Sequence, residues 1–192
     1  MTTQELIEKY PFLQPRNVWT DDIIDEEDYC LIRDDIPDGW WKTFGIALCD
    51  DLKDVLVRNN CLDVYRIDQC KEKYGQLRLY DNGTPAEWSD HMWAWEYISE
   101  HTCCHCGAFP AKMRNDGWVS PYCDECWSKI NDKDCIYDDD GRLREYMCIV
   151  TYGMKEGEKY RFIDLKPYYA KIGYEPKDLI TKEEMMEHIL EK

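Results

Sequence analysis

Histidine is scarce in this chain, four residues in 192, and cations are outnumbered: 24 lysines and arginines face 40 aspartates and glutamates. The resulting charge of -16 argues against a duplex phosphate backbone as the natural ligand, since both surfaces carry the same sign. No apolar run approaches membrane length, and nothing near the N-terminus joins a basic stretch to an apolar core. No membrane contact and a reduced cytosolic setting are the expectations. No nucleophile stands at usable spacing from a base. The H-x-E of zinc deaminases is missing, because His91, His101 and His105 are not followed by Glu two residues on, and Tyr122 separates Pro121 from the cysteine pair after it. Asp90-His91 precedes both cysteine pairs, whereas a ββα-metal nuclease site needs its acidic-histidine step between them. An enzyme is therefore not expected. Repeats and low-complexity tracts are absent too.

What the chain does have is cysteine, eleven residues, an odd number that suits a reduced compartment better than a disulfide framework. Four form two C-x-x-C pairs, Cys103 with Cys106 and Cys123 with Cys126, and sixteen residues separate the pairs. Thiolates at that spacing wrap tight turns that aim both sulfurs at one ion, and two such turns complete a tetrahedral shell. Gly107 suits the first turn, where the chain needs a positive φ. Four cysteine ligands leave no open position, so the expected cofactor is a structural zinc ion. The alternatives are four unligated thiols or two disulfides. Cys104 is a spare thiol that could exchange with Cys103.

Residues 2–10 carry Leu6, Ile7 and Tyr10 at helical spacing, with Thr3 as the expected cap and Pro11 as the stop. Between Pro15 and Pro37 the composition turns acidic: Asp21, Asp22, Asp25, Glu26, Glu27, Asp28, Asp34 and Asp35 crowd a segment without a period. Two readings stand, a solvated loop and an acidic arm presenting carboxylates to a basic partner surface, with Trp19, Tyr29, Leu31 and Ile32 anchoring it to the body. Trp41, Phe44, Leu48, Leu52, Val55 and Leu56 then recur at helical steps, with Lys42, Asp50, Lys53, Asp54 and Arg58 outward. A strand over 62–70 and the run 71–80, turning at Gly75, predict a β-hairpin that ends at Asp81-Asn82-Gly83.

Thr84-Pro85-Ala86-Glu87 reads as a capping box opening a helix to about Ser99, with Trp88, Met92, Trp95 and Ile98 on one face. After the second cysteine pair comes a polar link over 131–141, then two strands over 143–152 and 160–165 joined by a loop with Gly153 and Gly157. A last helix opens on the capping box Thr181-Lys182-Glu183-Glu184 and carries Met185, Met186, His188, Ile189 and Leu190. The expected class is α+β: a helix–β-hairpin–helix body (38–101) with a zinc ribbon-like four-cysteine module (102–130), an N-terminal helix and acidic arm (1–37), and a C-terminal β-hairpin plus helix (131–192).

Within the hairpin, Lys71, Lys73 and Arg78 lie close to Tyr74 and Tyr80. Cations interleaved with aromatics can hold a phosphate and stack a base, and Lys112, Met113 and Arg114 between the cysteine pairs could extend such a surface. The ordinary alternative is that these cations neutralise Glu72, Asp68 and Asp81.

Pro37-Asp38-Gly39-Trp40, the helix with Cys49, the hairpin Lys71-Glu72-Lys73-Tyr74-Gly75-Gln76-Leu77-Arg78-Leu79-Tyr80, and the pairs Cys103-x-x-Cys106-Gly107 and Cys123-x-x-Cys126 together resemble a family of small proteins of bacteriophages, prophages and bacterial mobile elements. The likeness covers most of residues 37 to 127, and that family has no assigned activity. The resemblance implies a bacterial host cytosol and a role in phage–host conflict, where small acidic proteins block nucleic-acid machinery. Three functions are then expected to compete: an acidic inhibitor of a protein with a basic groove, favoured by charge and by the resemblance; a zinc-dependent nucleic-acid-binding module built on Lys71, Lys73, Tyr74 and Arg78; and, least expected, an enzyme with an unrecognised site.

Overall fold

The computed structural model describes residues 1–26, 28–115, 117–130, 142–150 and 160–190, excepting the side chains at 150, 188 and 190. Glu27, the link 131–141, the loop 151–159 with Gly153 and Gly157, and the side chains of His188 and Leu190 lie outside the described residues. The chain is α+β, with helices around small two-stranded sheets. It divides into two compact units, Met1–Tyr137 and Asp138–Lys192. The arm, the body and the four-cysteine segment all fall in the first.

Helix α1 (Thr3–Lys9) is capped by Thr2, one residue earlier than expected. Glu5 lies three residues after Thr2, so Thr2 can make both halves of the capping box: its hydroxyl accepts from the Glu5 N–H at 3.2 Å and its own N–H donates to the Glu5 carboxylate at 2.8 Å. Leu6 and Tyr10 are buried, and the Tyr10 hydroxyl donates to Asp50 at 2.7 Å.

The main helix is built of three consecutive segments, α2 (Asp38–Trp40), a π-helical turn (Trp41–Gly45) and α3 (Ile46–Arg58). The widened turn coincides with Trp41 lying over Gly45, where an added Cβ would stand 2.2 Å from the indole. Phe44, Leu48, Leu52, Val55 and Leu56 are buried as their period requires. Asp51 is buried among them. Its carboxylate bonds the His91 ring nitrogen Nδ1 and accepts from the Trp95 indole N–H, each at 2.9 Å.

Strand β1 (Arg66–Lys73) starts later than 62 because the Val64 and Tyr65 N–H groups both donate to the Cys61 carbonyl and close a turn there. It pairs antiparallel with β2 (Gln76–Asn82) through Tyr74-Gly75, both at positive φ, the two-residue geometry that follows strand twist. The capping box at Thr84 does not form, and α4 (Trp88–Glu100) begins four residues further on. The Thr84 hydroxyl donates to Asp81, and the Glu87 carboxylate is taken by Arg58 at 2.9 Å and Asn59 at 2.8 Å. Phe44 stacks on Trp95 and packs against Trp40, joining α3 to α4. Trp93 lies on the exposed side of α4, while Tyr97 is buried.

β3 (Lys112–Asn115) and β4 (Val119–Tyr122) form an antiparallel ribbon that leads into α5 (Asp124–Ile130). In the second unit, the strand expected over 143–152 is two elements. β5 (Leu143–Arg144) runs parallel to β8 (Leu179–Ile180), and β6 (Tyr146–Val150) pairs antiparallel with β7 (Tyr160–Asp164). They separate at Glu145, whose N–H donates to Ile180 while its carbonyl accepts from Leu165. Helix α6 (Lys166–Lys171) has no counterpart among the sequence expectations, since six residues are too few to display a period. The capping box opening α7 (Lys182–Leu190) does form: Thr181 and Glu184 exchange backbone-to-side-chain bonds of 2.7 and 3.2 Å.

Asp51→Ala should lower the unfolding free energy by about 1–3 kcal/mol, because it removes from the core the carboxylate that accepts from the Trp95 indole and bonds the His91 ring. Asp51→Asn, which keeps one acceptor oxygen, should cost less. Urea titration followed by circular dichroism measures both, and equal stability of Asp51→Ala and the parent would refute the role given to the carboxylate.

Candidate metal centre

The four sulfurs of Cys103, Cys106, Cys123 and Cys126 all lie within 4.8 Å of one another. The Cys106 and Cys123 sulfurs are 3.6 Å apart. A tetrahedron with metal–sulfur bonds of ~2.3 Å separates its sulfurs by ~3.8 Å, so this spacing could hold a metal ion.

Each pair is aimed by local backbone geometry. In the first turn the Gly107 N–H donates back to the Cys103 carbonyl at 2.9 Å, and Gly107 takes the positive φ of 83°. In the second, Cys123 precedes α5: its carbonyl accepts from Trp127 at 2.9 Å, and its sulfur lies 3.4 Å from the Cys126 N–H. The ribbon β3–β4 brings the turns together, with the Cys104 N–H donating to the Pro121 carbonyl at 2.9 Å. Cys103, Ala111 and Cys126 form a small buried cluster, with Cys106, Tyr122 and Cys123 packed against it. Burial opposes ionisation of Cys103, but the backbone N–H groups of Cys106, Cys123 and His105 outweigh it and bring the thiol to about 7. Cys123 and Cys126 are raised, chiefly by burial, with the Cys106 thiol crowding both. A divalent cation would reverse that balance by favouring thiolate. Cys104 lies outside the four-sulfur set, and burial pushes its thiol up to about 11. His105 is exposed, with Nδ1 at 3.6 Å from the Cys126 sulfur.

The first turn is clasped by the start of the main helix. The Gly39 N–H donates to the Cys104 carbonyl at 3.0 Å, the Trp40 indole N–H to Thr102 at 2.8 Å, and the Thr43 hydroxyl to Gly107 at 2.6 Å. A Cβ on Gly39 would stand 2.2 Å from the Cys103 carbonyl oxygen, so only glycine permits this approach. Sequence reading misses Gly39 and Thr43 as supports of the centre, and misses Asp51. A charged residue three positions after Leu48, on the apolar stripe itself, is the available signal for Asp51.

The hairpin tip meets the ribbon from the other side. Gly75 abuts the Met113 sulfur, Tyr74 stacks on Trp118 at 6.5 Å, and the Trp118 indole donates to Glu72 at 3.2 Å. Lys71 lies over the Tyr80 ring, and Lys73 over that of Tyr74. Arg78 pairs with Glu96 of α4 at 3.0 Å, not with Glu72, Asp68 or Asp81. Those three carboxylates accept instead from Gly75, Asn82 and Tyr65. Arg114 is buried against Trp127 and pairs with Asp124, as does Lys112. Arg114 is thereby withdrawn from the surface, while Lys112 stays half exposed.

The arm is ordered rather than featureless. Cys30, Ile32 and Ile36 are its buried anchors, whereas Leu31 and Tyr29 are half-buried and Trp19 points to solvent. Asp21 pairs with Arg66 and Arg16. Asp34 accepts from the Cys30 N–H and pairs with Arg33, and Asp35 accepts from Tyr29 at 2.7 Å. Asp22, Asp25, Glu26 and Asp28 remain exposed.

Gly39→Ala should destabilise the first unit by about 1–3 kcal/mol, as overpacking does, and should speed transfer of bound metal to a chelator. Thr43→Val, which loses one hydrogen bond, should cost about 1 kcal/mol and release metal at an intermediate rate. Colorimetric chelator kinetics rank the two, and a Gly39→Ala protein that keeps metal as well as the parent would disprove the clasp. Comparison with protein-family models, with curated proteins and with solved structures finds no match to this chain, so a functional reading rests on this geometry and on charge.

Proposed function

We propose that the chain is a zinc-stabilised acidic accessory protein of phage or mobile-element kind, not an enzyme, which binds and inhibits a nucleic-acid-handling protein by presenting carboxylates to its basic groove. Four thiolates around one ion suit zinc, and a closed sulfur shell suits a structural role. The metal's work is then to hold the knuckles, the ribbon and the start of the main helix together.

The observation that carries the reading is the placement of charge. Arg16, Arg33, Arg58, Arg66, Arg78, Lys112 and Arg114 are engaged by carboxylates of the chain itself, while Asp22, Asp25, Glu26 and Asp28 of the arm face water. Phosphate recognition needs free cations, and the free charge concentrated here is negative. A basic groove that normally holds nucleic acid is the complementary surface.

One observation favours a second reading, a nucleic-acid-binding module. Among the described residues Lys71 and Lys73 have no carboxylate partner, and they stand beside the exposed pair Tyr74 and Trp118.

Elemental analysis of purified protein should find one zinc per chain, and Cys123→Ser should lose it together with thermal stability. A soluble Cys123→Ser protein with unchanged melting temperature would contradict the structural site. A tagged pull-down from bacterial lysate, run with and without nuclease treatment, should retain a nucleic-acid-handling protein in both arms, lose it at high salt, and lose it in Asp22→Asn/Asp25→Asn/Glu26→Gln. Recovery of nucleic acid instead, abolished by Lys71→Glu/Arg78→Glu, would establish the second reading.

A further inference from the structure

The loop that follows Pro15 holds the most exposed aromatic residue of the described chain. Trp19 is 93% exposed, and Val18 and Ile23 beside it are 60% and 59% exposed. An indole left in water forgoes the burial that large aromatics ordinarily obtain. The segment presenting it is fastened. Arg16 and Ile23 form an antiparallel bridge, the Asn17 N–H donates to Asp22 at 2.9 Å, and the Asp21 N–H returns to Asn17 at 2.8 Å. Asn17 Oδ1 accepts from the Trp19 and Thr20 N–H groups, and Arg66 ties Asp21 to the hairpin at 3.0 Å. Trp19 is thus carried outward on a turn that is already ordered, with Asp22, Asp25 and Glu26 following it.

We infer that Trp19 is the anchor of a docking surface, formed with Val18, Ile23 and the neighbouring carboxylates, for a protein segment that offers an apolar face flanked by lysine or arginine, as a basic amphipathic helix does. The inference rests on the reading of the arm as partner-binding and names the contact that reading lacked. A purely electrostatic contact gives rate and orientation more than strength. A rigid indole on a preordered turn supplies a desolvated centre at small entropic cost. Charge selects among occupants: the carboxylates repel a phosphate backbone, and two copies of the arm repel each other, so a cationic flank is the complement.

The test uses two dye-labelled peptides of identical leucine and lysine composition, one patterned as an amphipathic helix and one scrambled, titrated by fluorescence anisotropy into the full zinc-loaded chain. The parent should bind the amphipathic peptide about tenfold more tightly than the scrambled one. Trp19→Ala, with unchanged melting temperature, should erase that preference and keep the weak salt-sensitive binding common to both peptides. Asp22→Asn/Asp25→Asn/Glu26→Gln should weaken both. Equal binding of the two peptides by the parent, or a preference that survives Trp19→Ala, overturns the anchor while leaving the acidic-arm reading in place. Binding of neither peptide sinks both. A chain that self-associates in sedimentation and becomes monomeric on Trp19→Ala assigns the surface to a second copy and overturns the inference.

Discussion

Three hydrogen bonds from the start of the main helix to the first cysteine turn, donated by Gly39, Trp40 and Thr43 to the carbonyls of Cys104, Thr102 and Gly107, join the apolar core around Trp40, Phe44 and Trp95 to the sulfur cluster. The carbonyls of a tight turn have no strand or helix partner of their own, and burying them unpaired would be costly. The helix supplies their donors, and Gly39 lets the two backbones approach. The sulfur cluster and the packing of Trp40, Phe44 and Trp95 are therefore joined, and an ion held by the four cysteines would stabilise both.

Internal pairing governs the charges as well. An acidic protein has few cations to use, and most described arginines are committed to internal carboxylates: Arg66 and Arg16 hold Asp21, Arg33 holds Asp34, Arg78 holds Glu96, and Arg114 is buried beside Asp124. Burial raises Glu96 above the usual range for a glutamate, and Arg78 only partly restores it. Pairing of this kind orders the arm against the hairpin and leaves a surplus of exposed carboxylate. The total count sets how negative the protein is, and internal pairing decides where on the surface that charge is left exposed.

Signals in the sequence are legible where the physics is local. The two C-x-x-C pairs, the positive φ at Gly107, the hairpin turn at Gly75 and the Thr181 capping box each depend on residues within a few positions of one another, and each is present. The capping box at Thr84 fails because its two members find stronger partners elsewhere, Thr84 at Asp81 and Glu87 at Arg58 and Asn59. Hydrophobicity alone places Trp19 inside, yet the buried anchors of the arm are Cys30, Ile32 and Ile36.

By itself the sequence determined the α+β class, the apolar stripe of the main helix, the four-cysteine set and the acidic balance, since periodicity, ligand spacing and net charge are properties of neighbours or of sums. Only the tertiary structure decided that Asp51 is buried between His91 and Trp95, that Gly39 and Thr43 support the cysteine turn, which carboxylates are paired with internal cations, and that Trp19 stands in water. Each of those pairings or exposures depends on where distant segments come to lie. Hydrogen bonds and ion pairs across dozens of residues follow from packing, and no local pattern in the sequence encodes them.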